Sequence, residues 1–285
     1  MEMKKSISKM GALLLAATLA IGSLGGCKST TASVATASHP QTVQIAILTG
    51  MAPYTYVDNS GQMQGYDYEF LKMCDDLLPE YQFHYNAVDP NAAAAAVKAG
   101  TYALSASAHF VTPARQKNYL LTKPECYFPV NLISRKTDHF TKFADLNGKR
   151  LVPDPPNDGL YVVLHNLEAK YPNVKPVEQE VSDYVPYDQS CKDVSNGTYD
   201  CWFGGDTMFD DVMKKDPMDN LYCSDPIACA PCVVVINKKY TDLRDKLNQC
   251  ISKLYSNGSL SNLSQKWLGK DVFSIAKETG SLEKY

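Results

Sequence analysis

The chain has 285 residues, of which 45% are hydrophobic and 21% are charged, and its formal net charge is −3. This length and balance are typical of a folded protein with one large or two medium hydrophobic cores. The composition gives no sign of a strongly basic domain or stripe, so we expect no nucleic-acid partner.

The first 26 residues have the pattern of a signal peptide. Three lysines precede the apolar run MGALLLAATLAIG, which is followed by SLGGC. This run is too short for a confident membrane span and has the flanks of a secretory leader. The ending LGGC resembles the lipobox of bacterial lipoproteins, which implies that Cys27 is lipidated. An ordinary signal peptide followed by a chance cysteine is the alternative.

A flexible tether is predicted over residues 27–41. The segment is rich in Ser, Thr and Ala and has no hydrophobic periodicity, so it buries too little apolar surface to fold. No other part of the sequence is apolar over the length of a bilayer. We therefore predict an extracytoplasmic domain, anchored by lipid to the outer face of the cell membrane.

Strand and helix patterns alternate in the first part of the folded domain. The β-branched run TVQIAIL predicts a buried strand at 42–48. The elements predicted next are a helix at 66–78, a strand at 81–87, a helix at 91–100 closed by Gly100, and the strand YALSASA. This order predicts a parallel sheet that is covered by helices on both faces.

A second alternating set begins near residue 143. The predicted elements are a helical turn FADLNGK, a short strand RLVP, a helix at 158–171, a strand at 177–181, a helix at 182–197, a strand at 198–204, helices at 206–215, 241–256 and 259–268, and a strand at 229–237. Segments 124–136 and 227–239 resemble each other, since both carry a Cys, a Pro, an apolar run and a basic pair. Such a pair suits two hinge strands between two lobes; chance similarity is the alternative.

Five stretches resemble the extracellular solute-binding proteins of the amino-acid type (family 3), in the right order over nearly the whole mature chain. They are APYTYVDNSGQMQGYDYEFLKMCDDL, VKAGTYALSASAHFVTPARQKNYLLTKP, FADLNGKRLV, VSNGTYDCWFGGD and LRDKLNQCISKLYSNGSLSNLSQKWLG. The resemblance implies an α/β, periplasmic-binding-protein-like (type II) fold, with two α/β lobes joined by two hinge strands. Lobe 1 would comprise 42–126 plus 235–285, and lobe 2 would comprise 127–234.

The function that the resemblance implies is capture of an amino acid or amino-acid-like ligand between the lobes, for delivery to an ABC permease in the membrane. Such a protein is expected to be a monomer, without a cofactor and without enzymatic activity. Two alternatives stay open. One is a ligand-sensing lipoprotein without transport, and the other is an enzyme similar to cyclohexadienyl dehydratases on the same fold.

The family arginine that pairs with the ligand's α-carboxylate falls on Arg115. A guanidinium is always charged and matches a carboxylate in a bidentate fork, so the chemistry fits. Without the resemblance, Arg115 would be interpreted as a solvated turn residue.

The other positions implied by the resemblance depart from the family pattern. Ser107 matches a hydrogen-bonding serine, but Phe110 replaces an expected hydroxyl and Met51 an expected aromatic ring. In the second lobe, Pro156-Asn157-Asp158 stands where the family carries G-[ST]-T, the source of its carboxylate donors. Asp206 lies one residue beyond the acid that binds the ligand's ammonium. Both aspartates have helix capping as the alternative. With fewer donors and an extra acid, we hypothesise a cationic, zwitterionic or modified ligand.

Cysteine and histidine patterns predict no metal site. Nine cysteines are present, and the eight left after lipidation permit disulfides outside the cytoplasm, with Cys126–Cys229 and Cys191–Cys201 as candidate pairs. The single C-x-x-C at 229–232 has no second pair or histidine motif to form a zinc site, and a redox role stays open. None of the five histidines lies in a nucleophile or metal motif.

Overall fold

The structure is a computed structural model that describes residues 36–156 and 158–285. The predicted signal peptide, the predicted lipidation site Cys27 and most of the predicted tether lie outside the described residues. In the described ranges, no helix combines the length and the apolar character that crossing a membrane requires.

The strands of the described residues are β1 (Gln41–Leu48), β2 (Tyr56–Val57), β3 (Met63–Gln64), β4 (Tyr81–Val88), β5 (Leu104–Phe110), β6 (Leu120–Leu121), β7 (Cys126–Arg135), β8 (Cys201–Gly204), β9 (Leu221–Cys223) and β10 (Ala228–Ile236). The helices are α1 (Tyr66–Leu77), α2 (Pro90–Ala99), α3 (Pro113–Asn118), α4 (Gly159–Lys170), α5 (Tyr187–Ser195), α6 (Asp206–Lys215), α7 (Thr241–Ser256), α8 (Ser259–Leu268) and α9 (Val272–Glu278). A 3₁₀ turn occupies Phe143–Leu146.

One eight-stranded sheet runs through the protein in the order β4-β1-β5-β10-β7-β8, with β6 beside β10 and β9 beside β7. β1 is parallel to both β4 and β5, as the alternation of strands and helices predicts. β10 is antiparallel to β5 and β7, and β7 is antiparallel to β8 and β9. The pairings beyond β5, for which the sequence predicted no direction, are antiparallel because the chain crosses from one group of strands to the other and back in opposite directions.

β7 and β10 link the two groups of strands. Residues Cys126–Val130 of β7 pair with Ala228–Cys232 of β10, whereas Asn131–Arg135 of β7 pairs with β8 and β9. The second half of β10 pairs with β5 and β6. The two strands are therefore hinge strands between two α/β lobes, and they coincide with the two similar segments of the sequence. The predicted lobe limits stay a prediction.

Helices pack around both groups of strands. α1, α7 and α8 pack together, α2 packs on β1 and β5, and α5 and α6 pack on the other side of the hinge with β7 and β8. α9 packs on both hinge strands. Side chains that alternate along β1, Val43, Ile45 and Ile47, are fully buried in the main core. A smaller core of the second lobe forms around Ile133 and Trp202.

Several local predictions need correction. The helix predicted from residue 182 begins only at Tyr187, with Pro186 as its N-cap. Segment 177–181 makes a single bridge, between Val177 and Arg150, instead of a strand. β5 extends to Phe110, and α9 was not predicted at all.

The cysteine pairs proposed from the sequence are not bridged. All eight cysteines of the described residues are free thiols in the structure. Across the hinge strands, Cys126 lies opposite Cys232, while Cys229 lies opposite Pro129. The hinge register therefore excludes Cys229 as the direct cross-strand neighbour of Cys126.

Candidate ligand cleft

The end of β5 and the start of α4 bring the two lobes into contact. The side chain of Phe110 lies on Gly159, the first residue of α4, so closely that a Cβ at Gly159 would be 2.0 Å from Cδ2 of Phe110. Only glycine permits this approach. The Phe110 ring also meets the ring of Phe128 edge-on, with centroids 5.3 Å apart. A Cβ at Gly205 would in turn lie 2.3 Å from Cζ of Phe128, so aromatic rings line the contact between the lobes.

α3 positions Arg115 next to this contact. The Thr112 hydroxyl accepts a hydrogen bond from the Arg115 backbone N–H at 3.2 Å, and Pro113 occupies the first helical position. Both features stabilise a helix start. The guanidinium Nη1 donates to the Phe110 carbonyl at 2.8 Å. Among the described residues, Arg115 forms no ion pair with a carboxylate, so most of its donors remain open to an anion.

An acidic wall faces Arg115 from the second lobe. Asp158 caps α4 as predicted, because its Oδ1 accepts from the Leu160 N–H at 2.6 Å. Its Oδ2 accepts from the Tyr184 hydroxyl, also at 2.6 Å. Burial and the hydrogen bond to Asp158 raise the pKa of Tyr184, while the charge of Arg115 opposes this rise. Arg115 and the Asp158–Tyr184 pair are therefore within electrostatic reach of each other.

Asp154 and Tyr187 extend the acidic wall. Burial raises the pKa of Asp154 to about 7, and the charges of Asp158 and Glu178 contribute. Tyr187 stacks on Trp202 with ring centroids 5.6 Å apart. Burial raises the pKa of Tyr187, and the charges of Asp158 and Asp154 raise it further. The sequence pattern did not identify Asp154, Tyr184 or Tyr187. Their only signal is a high density of acids and tyrosines in the segments that flank α4.

Ser107 lies behind the cleft surface. It is 3% exposed, and its hydroxyl is 2.6 Å from Oγ1 of Thr55. The hydroxyl is thus satisfied inside the protein, and the predicted contact between Ser107 and a ligand stays a prediction. Met51 donates its N–H to the Thr55 carbonyl at 2.8 Å, and its side chain is 40% exposed.

The buried carboxyl group of Asp67 accepts a hydrogen bond from the end of β5. Ala108 has a φ of 47°, a left-handed conformation that is uncommon outside glycine, and its N–H donates to Oδ1 of Asp67 at 3.3 Å. The next residue, His109, lies with Nε2 3.1 Å from Oγ of Ser105. Burial, and to a lesser degree the charge of Arg115, lowers the pKa of His109 to about 3. His109 is therefore a neutral group at neutral pH.

Asp67 and Glu125 form a carboxyl pair, fully buried in the first lobe. Burial raises the pKa of Asp67 to about 7. Burial and the neighbouring Asp67 raise the pKa of Glu125 well above its usual range. Ionising both carboxyl groups in an apolar environment has a high free-energy cost, so the pair retains at least one proton at neutral pH. Glu125 had a signal in the sequence, since it stands alone at the start of the apolar run CYFPV.

The Asp206 carboxylate forms an ion pair with Lys270 in the structure. Its carboxylate accepts from Nζ of Lys270 at 2.6 Å, and its N–H donates to Oδ1 of Asn131 at 3.2 Å. Asp206 is the first residue of α6, and Gly205 is the N-cap, so the capping alternative was wrong by one residue. Burial and, to a lesser degree, the charge of Asp206 raise the pKa of Cys229, so Asp206 lies near the hinge. Its predicted contact with ligand stays a prediction.

A separate open depression of about 710 Å³ lies between the 3₁₀ turn and α9, and its lining includes Lys142, Tyr171 and Glu278. It includes none of the residues that resemble family ligand positions. We therefore assign the candidate site to the contact between β5, α3 and α4, where opposite charges face each other.

Comparison with known proteins identifies the family of the chain and agrees with its predicted fold. A family model described as bacterial extracellular solute-binding proteins, family 3, matches residues 43–270. The L-cystine-binding protein TcyJ of Bacillus subtilis is 26% identical over 253 residues, which cover 87% of this chain and 90% of the relative.

Solved structures share the fold. The unliganded, open L-cystine solute receptor of Neisseria gonorrhoeae matches with a TM-score of 0.59 and 20% identity, over 83% of this chain and 96% of that chain. A structure from work on glutathione import via GshT and the cystine ABC importer TcyBC of Streptococcus mutans matches with a TM-score of 0.61 and 22% identity. That match covers 84% of this chain and 99% of the other. The predicted fold, with two α/β lobes joined by two hinge strands, is confirmed.

Proposed function

The chain belongs to the bacterial extracellular solute-binding proteins, family 3, and we propose that it captures an amino-acid-like ligand between its lobes for an ABC importer. The observation that carries this proposal is Arg115. Its guanidinium lies beside the contact between the lobes and has no carboxylate partner among the described residues. A ligand that touches both lobes stabilises the closed form, because binding favours the state with more contacts.

The ligand's carboxylate would bind Arg115, because the α4 N-terminus is already occupied. Asp158 accepts from the first-turn N–H of Leu160, and Phe110 covers the backbone of Gly159. A second anion at this helix start would meet the carboxylate of Asp158 and the ring of Phe110. The ligand's ammonium would instead approach Asp158, with the Tyr184 hydroxyl beside it.

This arrangement favours a zwitterion whose net charge is zero or positive over an acidic amino acid. An added carboxylate on the ligand would face Asp154 or Asp158, whereas an added ammonium or guanidinium would be attracted to them. L-cystine, the ligand in the name of the Bacillus relative, meets the charge criterion, and so do basic amino acids.

A lipid on Cys27 would hold the protein at the outer face of the membrane, where a permease can receive its ligand. Two observations support this part of the proposal: the LGGC pattern of the sequence and the extracytoplasmic role of the family. Mass spectrometry of the mature N-terminal peptide tests it directly. Acylation of Cys27 in the wild type, and an unacylated protein released from membranes by Cys27→Ala, are the expected results.

Ligand capture is tested with the mature chain expressed without its lipid. We would screen the neutral, basic, acidic and sulfur-containing amino acids by thermal shift at pH 7.4, and then titrate each positive ligand by calorimetry. We expect an increase in melting temperature with a neutral or basic amino acid and none with glutamate or aspartate. A selective response to acidic amino acids would contradict the ligand class, and no response to any amino acid would contradict the function.

A further inference from the structure

Three side chains in the second lobe converge on one point outside the ligand cleft. Nδ1 of His165 lies 2.8 Å from Oε2 of Glu168, and Nε2 of His165 lies 3.4 Å from Oε2 of Glu178. One donor atom from each residue can be chosen so that all three lie within 4.8 Å of one another. Within the described residues, this is the one group of three or more such side chains with that geometry.

The local structure fixes the three residues in place. His165 and Glu168 are three residues apart on α4, so they share one face of the helix. Glu178 follows Val177, whose backbone pairs with the segment before α4. The Val177 N–H donates to the Lys149 carbonyl at 2.8 Å, and its carbonyl accepts from the Leu151 N–H at 3.0 Å. The cluster therefore joins a helix face to a segment that is pinned by backbone hydrogen bonds.

The two nitrogens of His165 have different surroundings. Nδ1 is within hydrogen-bond distance of Glu168, whereas Nε2 is shielded from solvent and has no hydrogen-bond partner. A histidine that binds a metal commonly donates its second ring N–H to a carboxylate, which directs the lone pair of the other nitrogen at the ion. Glu168 is placed to act in this way. Ligands about 2.0–2.2 Å from a tetrahedral zinc ion lie roughly 3.3–3.5 Å apart, which matches the spacing between Nε2 and Glu178.

The cluster has more acidic than basic side chains around it, so it would attract a cation. Glu168 and Glu178 form ion pairs only with His165 among the described residues, and Asp154 and Asp158 form none. The charge of Glu178 also acts on Asp154, which places a further carboxyl group nearby.

We propose that His165 Nε2 and the Glu178 carboxylate bind a divalent transition-metal ion of the zinc type, with Glu168 as the positioning residue. Water would complete the coordination. The mixed nitrogen and oxygen donors suit Zn²⁺ better than Mg²⁺ or Ca²⁺, which prefer all-oxygen sites. The ion would tie α4 to the segment that contains Glu178, independently of ligand capture in the cleft.

The test uses the untagged mature chain after dialysis against a chelator. Zn²⁺ is titrated by calorimetry at pH 7.4, and Co²⁺ is titrated by visible absorption. We expect one Zn²⁺ per chain, bound with a Kd below about 10 µM, and a d–d absorption band with Co²⁺. His165→Gln and Glu178→Gln should each weaken Zn²⁺ binding by at least tenfold, and Glu168→Gln by about 10–100-fold.

His84→Gln is the matched control, because His84 is an exposed histidine on β4. It should leave the Zn²⁺ affinity unchanged. Circular dichroism checks that each variant is folded, and the Glu178→Gln variant keeps the proposal testable if His165→Gln does not fold. The proposal is overturned if the wild type binds no Zn²⁺ at 100 µM, or if folded His165→Gln and Glu178→Gln variants bind it like the wild type. In that case the three side chains only pack α4 against the segment that contains Glu178.

Discussion

The side chain of Phe110 rests on the backbone of Gly159, and this contact joins the end of β5 in one lobe to the first residue of α4 in the other. The ring of Phe110 and the carboxylate of Asp158 together occupy the start of α4, so a ligand anion cannot bind there. This leaves Arg115 as the cation that a ligand carboxylate can reach. In the proposed function, the selectivity of the cleft would depend on residues that replace small polar groups of the family pattern.

Gly159→Ala should weaken ligand binding. The added methyl would meet Phe110 at 2.0–2.3 Å, so the lobes must separate or α4 must shift. Overpacking of this kind costs about 1–3 kcal/mol, which corresponds to roughly 5–150-fold in affinity if the cost is confined to the closed form. Calorimetry measures the affinity, and small-angle scattering with ligand measures lobe closure.

The double variant Phe110→Ala/Gly159→Ala is the matched control for this steric argument. Removing the ring should restore lobe closure that Gly159→Ala prevents. If the double variant binds and closes no better than Gly159→Ala alone, the contact between Phe110 and Gly159 does not govern closure.

Asp158→Asn should lower the affinity for a basic or zwitterionic ligand by at least about fivefold. Asparagine caps helices as well as aspartate does, so α4 keeps its N-cap while the wall loses one negative charge. The unfolding midpoint in urea should change little, which separates the charge effect from a loss of stability. An unchanged ligand affinity would show that the ammonium is bound elsewhere.

The Asp67–Glu125 pair predicts a stability that falls as pH rises. Both carboxyls have raised pKa values in the folded protein, so above about pH 4.5 the folded state binds more protons than the unfolded state. The free energy of unfolding then decreases by up to about 1.4 kcal/mol per pH unit for each such group, until the pH passes its folded pKa. Glu125→Gln removes one group, so its stability should be less pH-dependent than the wild type between pH 5 and 8.

Urea denaturation at pH 5, 6, 7 and 8 measures this slope. Asp211→Asn is the control, because Asp211 is exposed on α6 and pairs only with Lys214 among the described residues. It should leave the slope as in the wild type. A slope that Glu125→Gln leaves unchanged would mean that Glu125 is ionised in the folded protein.

The ion pair between Asp206 and Lys270 competes with the predicted contact between Asp206 and the ligand's ammonium, and we expect the ion pair to prevail. Both side chains are about one quarter exposed, so the pair should contribute about 1 kcal/mol or less. Asp206→Asn and Lys270→Met should lower stability by similar, non-additive amounts and keep ligand affinity within about threefold. A much larger loss of affinity in Asp206→Asn alone would assign Asp206 to the ligand's ammonium.

Much of the fold could be predicted from the sequence. Periodicity placed β1, α1, α7 and α8 within one or two residues, because their apolar faces are buried in the pattern that each element requires. It failed at 177–181, where a strand-like run makes one bridge, because strand formation depends on partners distant in the sequence.

The candidate site was harder to predict than the fold. Arg115 was found through a motif, but its counterpart depends on side chains from separate loops, such as Tyr184. The burial of Ser107 also had no signal, since its partner Thr55 lies 52 residues away. Contacts of this kind are set by tertiary packing, within one lobe or between the two, and not by local pattern.

The central claim is that Arg115 anchors the carboxylate of an amino-acid-like ligand. Calorimetric titration of the ligand found in the thermal-shift screen into wild type, Arg115→Ala and the control Arg244→Ala tests it most directly. A charge-assisted hydrogen-bonded pair is worth about 2–5 kcal/mol when one partner is truncated, so Arg115→Ala should lose at least about 30-fold in affinity. Arg244→Ala, whose partly buried side chain on α7 pairs with Asp245, should bind like the wild type. Equal affinity of Arg115→Ala and the wild type would contradict the account.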